Sequence, residues 1–344
     1  MYPANPLQQV FLAEALHHVD PKLNISQFID EYHQPIDSGC FRQAWAHMLR
    51  AFPALRTCFD WETELLQIIP RYSEQLFDKT FSYLDMSATA TSKGSTEEQV
   101  PTAIDTVAQQ AWEQGFALDQ PGLIHVQLIK WTDDHYYLVR TIHHAIWDGW
   151  CEVVFNRRFH QLYEAYRQQQ TPVLTIDNAY GQAQHPPPAL VEQTQAFWAS
   201  PDRRIDQANN INAMLTAPLA SAAASPTLLI EQADAISGTD YQALQLFCRQ
   251  YSITANTVVQ FAWHWLVHCY SGDASSCVGT TVFGRALPIT GIDESIGLYI
   301  NTLPFSIHWE NDYSVLKQLT LIQQQLLDLQ QHTHIPLASL QTDG

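Results

Sequence analysis

Residues 122–142 carry two runs of alternating character, GLIHVQLIKW and HYYLVRTI, separated by the polar triplet TDD. Alternation with a period of two places successive side chains on opposite faces, so the pair predicts a β-hairpin. The second run leads directly into HHAIWDGW, residues 143–150, where two histidines are followed by an aspartate and a glycine. From Gly149 to Gln168 the spacing becomes helical, with Val153, Phe155, Leu162 and Tyr166 among the apolar positions. Any fold for this chain must therefore end a strand on two histidines and turn at once into a helix.

The rest of the chain fits around that unit. Helices are expected over Pro6–Leu16, over Asp37–Ala51 with Ser38 as its cap, and over Val100–Gly115, with a strand near Asn24–Tyr32 and a surface connection at 88–99. The segment LTIDNAYGQAQHPPPAL (174–190) reads as a boundary, because three consecutive prolines supply no backbone donors and stiffen the chain. Beyond it a strand at TLLIEQ, helices at 238–250 and 254–270, a strand at SSCVGTTVFG and a helix from Tyr313 to Leu329 are expected. Both halves mix helices and strands, which predicts two α/β lobes, residues 1–180 and 181–344.

With 344 residues, 46% of them hydrophobic, the chain can fill two cores of ordinary size. Seventeen basic residues against 35 acidic ones give a formal charge of −18, which argues against nucleic acid or an anionic membrane as the main partner. The most apolar helical stretch, Thr257–Tyr270, is interrupted by Gln260, His264 and His268, so no membrane span is expected. Six cysteines without CxxC spacing and a start without a signal-like segment point to free thiols and a cytoplasmic location.

A histidine pair of this kind is either buried structure or chemistry. At a strand end His143 and His144 face opposite ways, so they do not share one ligand role. The pattern lacks HExxH and CxxC spacing, which disfavours zinc, and the chain has no GxSxG, GxxxxGK[ST] or GxGxxG motif. No metal and no nucleotide cofactor is expected. A histidine titrating near neutrality suits proton abstraction from an amine, hydroxyl or thiol, with Asp148 orienting a ring or fastening the turn and Gly149 permitting a tight path. The tryptophans, Trp147 and Trp150 among them, read as core or channel wall.

HHAIWDG resembles the HHxxxDG motif of condensation domains of nonribosomal peptide synthetases, within the chloramphenicol-acetyltransferase-like superfamily. FPALRTCF (52–59) is similar to the family's LRTxF segment, IGLYINTLPF (296–305) to its GxFxNT segment, and HTHIPLASLQ (332–341) to the stretch that follows. NPLQQVFLAEAL (5–16) is similar to its opening helix, so the likeness spans essentially the whole chain. It departs in having Ala51-Phe52 where the family has Arg-His, in the bulky Trp147, and in stopping soon after the last segment, so the second lobe is expected to be incomplete.

The resemblance implies two chloramphenicol-acetyltransferase-like lobes in a V-shaped pseudo-dimer, with a tunnel and active site between them. It makes His144 the catalytic residue, as base or by positioning the amine and stabilising the transition state. His143 is then structural, Asp148 holds the loop through an ion pair with Arg56, and Gly149 admits the channel. Trp147, Arg285 and Asn301 are placed at the tunnel or interface, with Asn301 and Thr302 also suited to tying down backbone. The implied reaction joins a donor acyl or peptidyl thioester to an acceptor aminoacyl thioester. Both are carried on phosphopantetheine arms of carrier proteins, with adenylation domains as neighbours. A free-standing acyltransferase, an epimerisation domain and an inactive carrier-docking fragment are the alternatives; heterocyclisation is disfavoured by the intact histidine pair.

Overall fold

The computed structural model describes residues 1–17, 20, 22–88, 99–200, 203, 209, 234–310, 312–336 and 340. The chain packs as two compact units, Met1–Pro187 with Leu287–Ile300, and Pro188–Ala286 with Asn301–Gly344. A single cut at residue 180 assigns Leu287–Ile300 to the second lobe; its contacts instead place it with the first.

In the first unit, β2 (Ile25–Tyr32), β7 (Tyr136–His143), β6 (Ile124–Lys130) and β5 (Phe81–Asp85) form one sheet in that order, with only the β5–β6 pairing parallel. The hairpin expected from the alternation is the β6–β7 pair at its centre. Alternate side chains go to two different cores, as the pleat requires. Val126, Leu128, Leu138 and Ile142 join the larger cluster. It includes Leu12 of α1 (Pro6–His17), Phe41, Trp45 and Met48 of α2 (Ser38–Ala51), and Val154, Phe155 and Phe159 of the helix Gly149–Arg167. Ile129, Trp131 and Val139 pack on the other face with Ile104 and Ala108 of the helix Gln99–Gln114. Val153, counted among the apolar positions of Gly149–Arg167, lies on the outside and is exposed.

Local chemistry sets the element ends. The side chain of Asp37, rather than Ser38, caps α2 by accepting from the Cys40 backbone N–H at 2.9 Å, and Ser38 becomes its first residue. A smaller antiparallel sheet joins β1 (Tyr2–Pro3), β4 (Leu66–Ile68) and β3 (Cys58–Asp60).

The second unit contains the helices Pro188–Trp198, Gly238–Tyr251, Ala255–Ser271 and Val315–Leu329, and the antiparallel strands Ser275–Val282 and Asn301–His308. Leu303, Phe305 and Ile307, every second residue of the latter strand, meet Ile322, Leu326 and Leu329 in one cluster. The expected strand TLLIEQ and residues 89–98 of the polar run lie outside the described residues. Among the described residues no helix is long and apolar enough to cross a membrane.

Candidate active site

β7 ends at His143, and the backbone then tightens into a single 3-10 turn, His144–Ile146. The two imidazoles consequently enter different surroundings. His143 is buried, and its Nδ1 accepts from the Ala145 N–H at 3.0 Å, capping the turn. Desolvation, aided by the neighbouring His144 and opposed by a backbone hydrogen bond at Leu23, pulls its pKa down to about 4. It is held neutral, as a structural histidine should be.

His144 is half-buried. Its backbone N–H donates to the Asn24 carbonyl at 2.7 Å, extending the β2–β7 pairing by one residue. Its Nδ1 lies 3.3 Å from the Trp147 carbonyl, and its Nε2 lies 2.9 Å from Ser26 Oγ. A carbonyl oxygen only accepts, so the neutral ring carries its proton on Nδ1 and presents an unprotonated Nε2. That is the arrangement a general base requires.

Asp148 is fully buried and caps the helix Gly149–Arg167. Its Oδ1 accepts from the Trp150 and Cys151 N–H groups, each at 3.1 Å, and its Oδ2 accepts from the Tyr299 N–H at 3.0 Å. The Cys151 thiol sits 3.2 Å from Asp148 Oδ1 and 3.1 Å from the Gly297 carbonyl. The turn after the histidines is therefore bonded to residues 297–299, nearly 150 positions further along the chain. A Cβ at Gly149 would meet nothing within 4 Å, so the backbone there borders open space.

Arg56 does not fill the role expected of it. Its guanidinium donates to the carbonyls of Leu49, of Arg50 at 3.2 Å and of Pro70 at 3.0 Å, and forms no ion pair with Asp148. The physical reason is local: Leu49 and Arg50 close α2, whose last carbonyls lack helical partners and attract a cation. Trp147 takes the core side of the core-or-channel-wall reading. It is 1% exposed, inside the first unit's core, with Phe155 edge-on at 5.7 Å between ring centres. Arg285 and Asn301 belong to the second unit, both buried. Asn301 Nδ2 donates to the Thr333 and Ile335 carbonyls, each at 2.9 Å, which is the backbone-tying role.

Several site residues are absent from the sequence reading. Gln8 is fully buried and donates to the Ala145 carbonyl at 2.8 Å, while Tyr180 donates to Gln67 Oε1 beside it. This polar group supports the 3-10 turn from beneath. The opening segment NPLQQ signalled Gln8 only as part of a resemblance, and nothing local marked Gln67, Tyr180 or Ser26. A groove of about 540 Å³ in the first unit runs past Phe52, Leu162, Ile176 and Glu294, and His144 is not part of its lining. Glu31, His33 and His135 bring ligand-type atoms within 4.8 Å of one another, a set able to hold a cation. They lie at the other end of β2 and β7, about 23 Å from the histidine pair at strand rise.

The chain is similar to known proteins along its whole length. The family model described as "Condensation domain" matches residues 1–344. An N-(5-amino-5-carboxypentanoyl)-L-cysteinyl-D-valine synthase of Penicillium rubens is 30% identical over 330 residues, covering 94% of this chain and 8% of that protein. A linear gramicidin synthase of Brevibacillus parabrevis is 27% identical over 355 residues, covering 99% of this chain and 6% of its own. The chain thus spans less than a tenth of the length of these relatives. Among solved structures, the starter condensation domain of rhizomide synthetase superposes with a TM-score of 0.70 at 17% identity, over 98% of this chain and 74% of that one.

Proposed function

This chain belongs to the condensation-domain family, and from that premise we propose that it joins a donor acyl or peptidyl thioester to an acceptor aminoacyl thioester through an amide bond. The observation that carries the reading is the state of His144: with Nδ1–H turned to the Trp147 carbonyl, Nε2 carries the ring's lone pair, beside Ser26 Oγ just past the end of β7. The acceptor amine attacks the thioester carbonyl carbon, its proton is taken up at His144 Nε2, and the tetrahedral intermediate collapses to amide. The thiolate of the donor arm leaves and is reprotonated from the imidazolium. No redox partner enters the balance.

In this reading the other motif residues position His144. His143 stays neutral and fixes the turn, Asp148 ties it to the helix and to Tyr299, and Gly149 leaves room for a substrate arm. The two units correspond to two chloramphenicol-acetyltransferase-like lobes, and phosphopantetheine arms from a donor and an acceptor carrier protein reach His144 through a tunnel. Holding both ends in place supplies much of the acceleration. Adenylation domains that load the carriers, and a cytoplasmic setting, complete the proposal.

The test loads donor and acceptor thioesters on cognate carriers and follows the amide by intact-protein mass spectrometry. The chain is expected to form product, and His144→Ala to lower the rate by about 10² to 10⁴. A His144→Ala protein that retains the full rate would overturn the role given to this histidine.

A further inference from the structure

The β2–β7 register explains why a serine meets the histidine. Ile25 pairs with His143 and Ser26 with Ile142. In an antiparallel pair Ile142 and His144 share a face, so Ser26 is the diagonal neighbour of His144, within reach of its ring. The distance from Ser26 Oγ to Nε2 is 2.9 Å. With Nδ1 carrying the ring proton, Nε2 has one in-plane lone pair, and the serine O–H donates into it.

That contact bears directly on the reaction. The lone pair through which His144 would take the amine proton is already engaged by a hydroxyl. A hydroxyl also has two acceptor lone pairs of its own, and both Ser26 and His144 are only half-buried, so a substrate amine can reach Ser26 Oγ. Resting on the acyl-transfer reading above, we propose that Ser26 is a second catalytic residue, relaying the proton from the acceptor amine to His144.

As the amine nitrogen bonds to the thioester carbon, its N–H proton passes to Ser26 Oγ while the serine's own proton passes to His144 Nε2. Ser26 ends unchanged, His144 ends as imidazolium, and the negative charge rests on the tetrahedral oxygen. Collapse to the amide expels the thiolate, and the imidazolium proton neutralises it, either directly or back through Ser26. Two protons are in flight in the attack step where a lone histidine base would move one. A hydroxyl between base and amine also extends the reach of His144 without any movement of the 3-10 turn, which Gln8 and His143 hold from behind.

Two measurements test the relay, one with substrate and one without. In the free protein, ¹⁵N NMR of His144 is expected to show the Nδ1–H tautomer, with an Nε2 resonance that shifts in Ser26→Ala and is restored in Ser26→Thr. An Nε2 resonance unchanged by Ser26→Ala would overturn the contact and the relay with it. With carrier-loaded donor and acceptor thioesters, amide formation is followed in H₂O–D₂O mixtures. The wild type is expected to show a curved dependence on deuterium fraction, and Ser26→Ala a linear one with kcat at least about tenfold lower and KM little changed. Ser26→Thr is expected to recover both rate and curvature. If His144→Ala abolishes product while Ser26→Ala keeps the wild-type rate and the deuterium dependence is linear in the wild type and in Ser26→Ala alike, the relay is wrong and the acyl-transfer reading stands. If His144→Ala keeps the wild-type rate, the reading itself fails, and the relay falls with it.

Discussion

His143 and His144 are adjacent and chemically alike, yet one is excluded from proton chemistry by its burial. The folded pKa of His143, about 4, lies below the ordinary value of 6.5, so the unfolded chain takes up a proton first on acidification. The stability it contributes is complete above about pH 6.5 and is lost as the pH falls from there towards 4. His264, buried in the second unit with its Nδ1 2.9 Å from Ser276 Oγ, is likewise lowered to about 4 by desolvation. Urea midpoints measured between pH 7 and 4 are expected to decline, and His143→Asn should flatten the decline; an unaltered slope would count against a buried neutral histidine. Two glycines near the site should respond in opposite ways. A Cβ at Gly297 would lie 2.3 Å from the buried Tyr180 ring, so Gly297→Ala is expected to cost about 3 kcal/mol in a urea titration. Gly149→Ala meets open space and should leave stability within about 0.5 kcal/mol, while its amide-forming rate drops if a substrate arm passes there.

Between elements, the join that matters most for the histidine strand is made by a buried cation. Arg140 in β7 is fully buried and reaches Asp30 in β2 at 2.7 Å and Glu152 in the helix Gly149–Arg167 at 2.6 Å, with Phe155 under its guanidinium. Arg140→Ala should destabilise the protein by about 3 kcal/mol, the low end for a broken buried pair because both carboxylates remain partly hydrated. Thermal unfolding would check it, and an unchanged midpoint would show that strand and helix are held by apolar packing alone. The elements themselves were legible in the chain, because alternation and helical spacing are local: Ile124–Lys130, Tyr136–His143 and Gly149–Arg167 lie within a residue or two of where their patterns place them. Partners were not legible. Nothing in VRTI reveals that Arg140 will find Asp30, and the likeness of LRTCF to a family segment sent Arg56 to Asp148 when the carbonyls ending its own preceding helix were nearer. Ser26 escaped notice for the same reason, since its importance comes from strand register and not from its neighbours in sequence.

For the whole molecule, the two units are not two consecutive pieces of chain. Leu287–Ile300 leaves the second unit to complete the first, where Ile296 joins the core and the Ile296 N–H and Ser295 hydroxyl bond to Asp177. Burial raises the pKa of Asp177, and these hydrogen bonds work against that rise. Residues 1–187 expressed alone are therefore expected to unfold at lower urea than the same segment carrying 287–300 on a flexible linker. Equal midpoints would mean that the returning segment adds nothing to the first unit.

The bond from Tyr299 to Asp148 also sets a clock. During synthesis the histidine turn emerges early, but its bond to Tyr299 waits for a residue 151 positions behind Asp148, beyond the stretch 188–286. At a translation rate of about 5–20 residues per second the ribosome needs roughly 8–30 s to supply it. Until then Asp148 accepts from the Trp150 and Cys151 N–H groups of its own helix but not from Tyr299, so the histidine turn gains its bond to the returning segment only once that segment has been made.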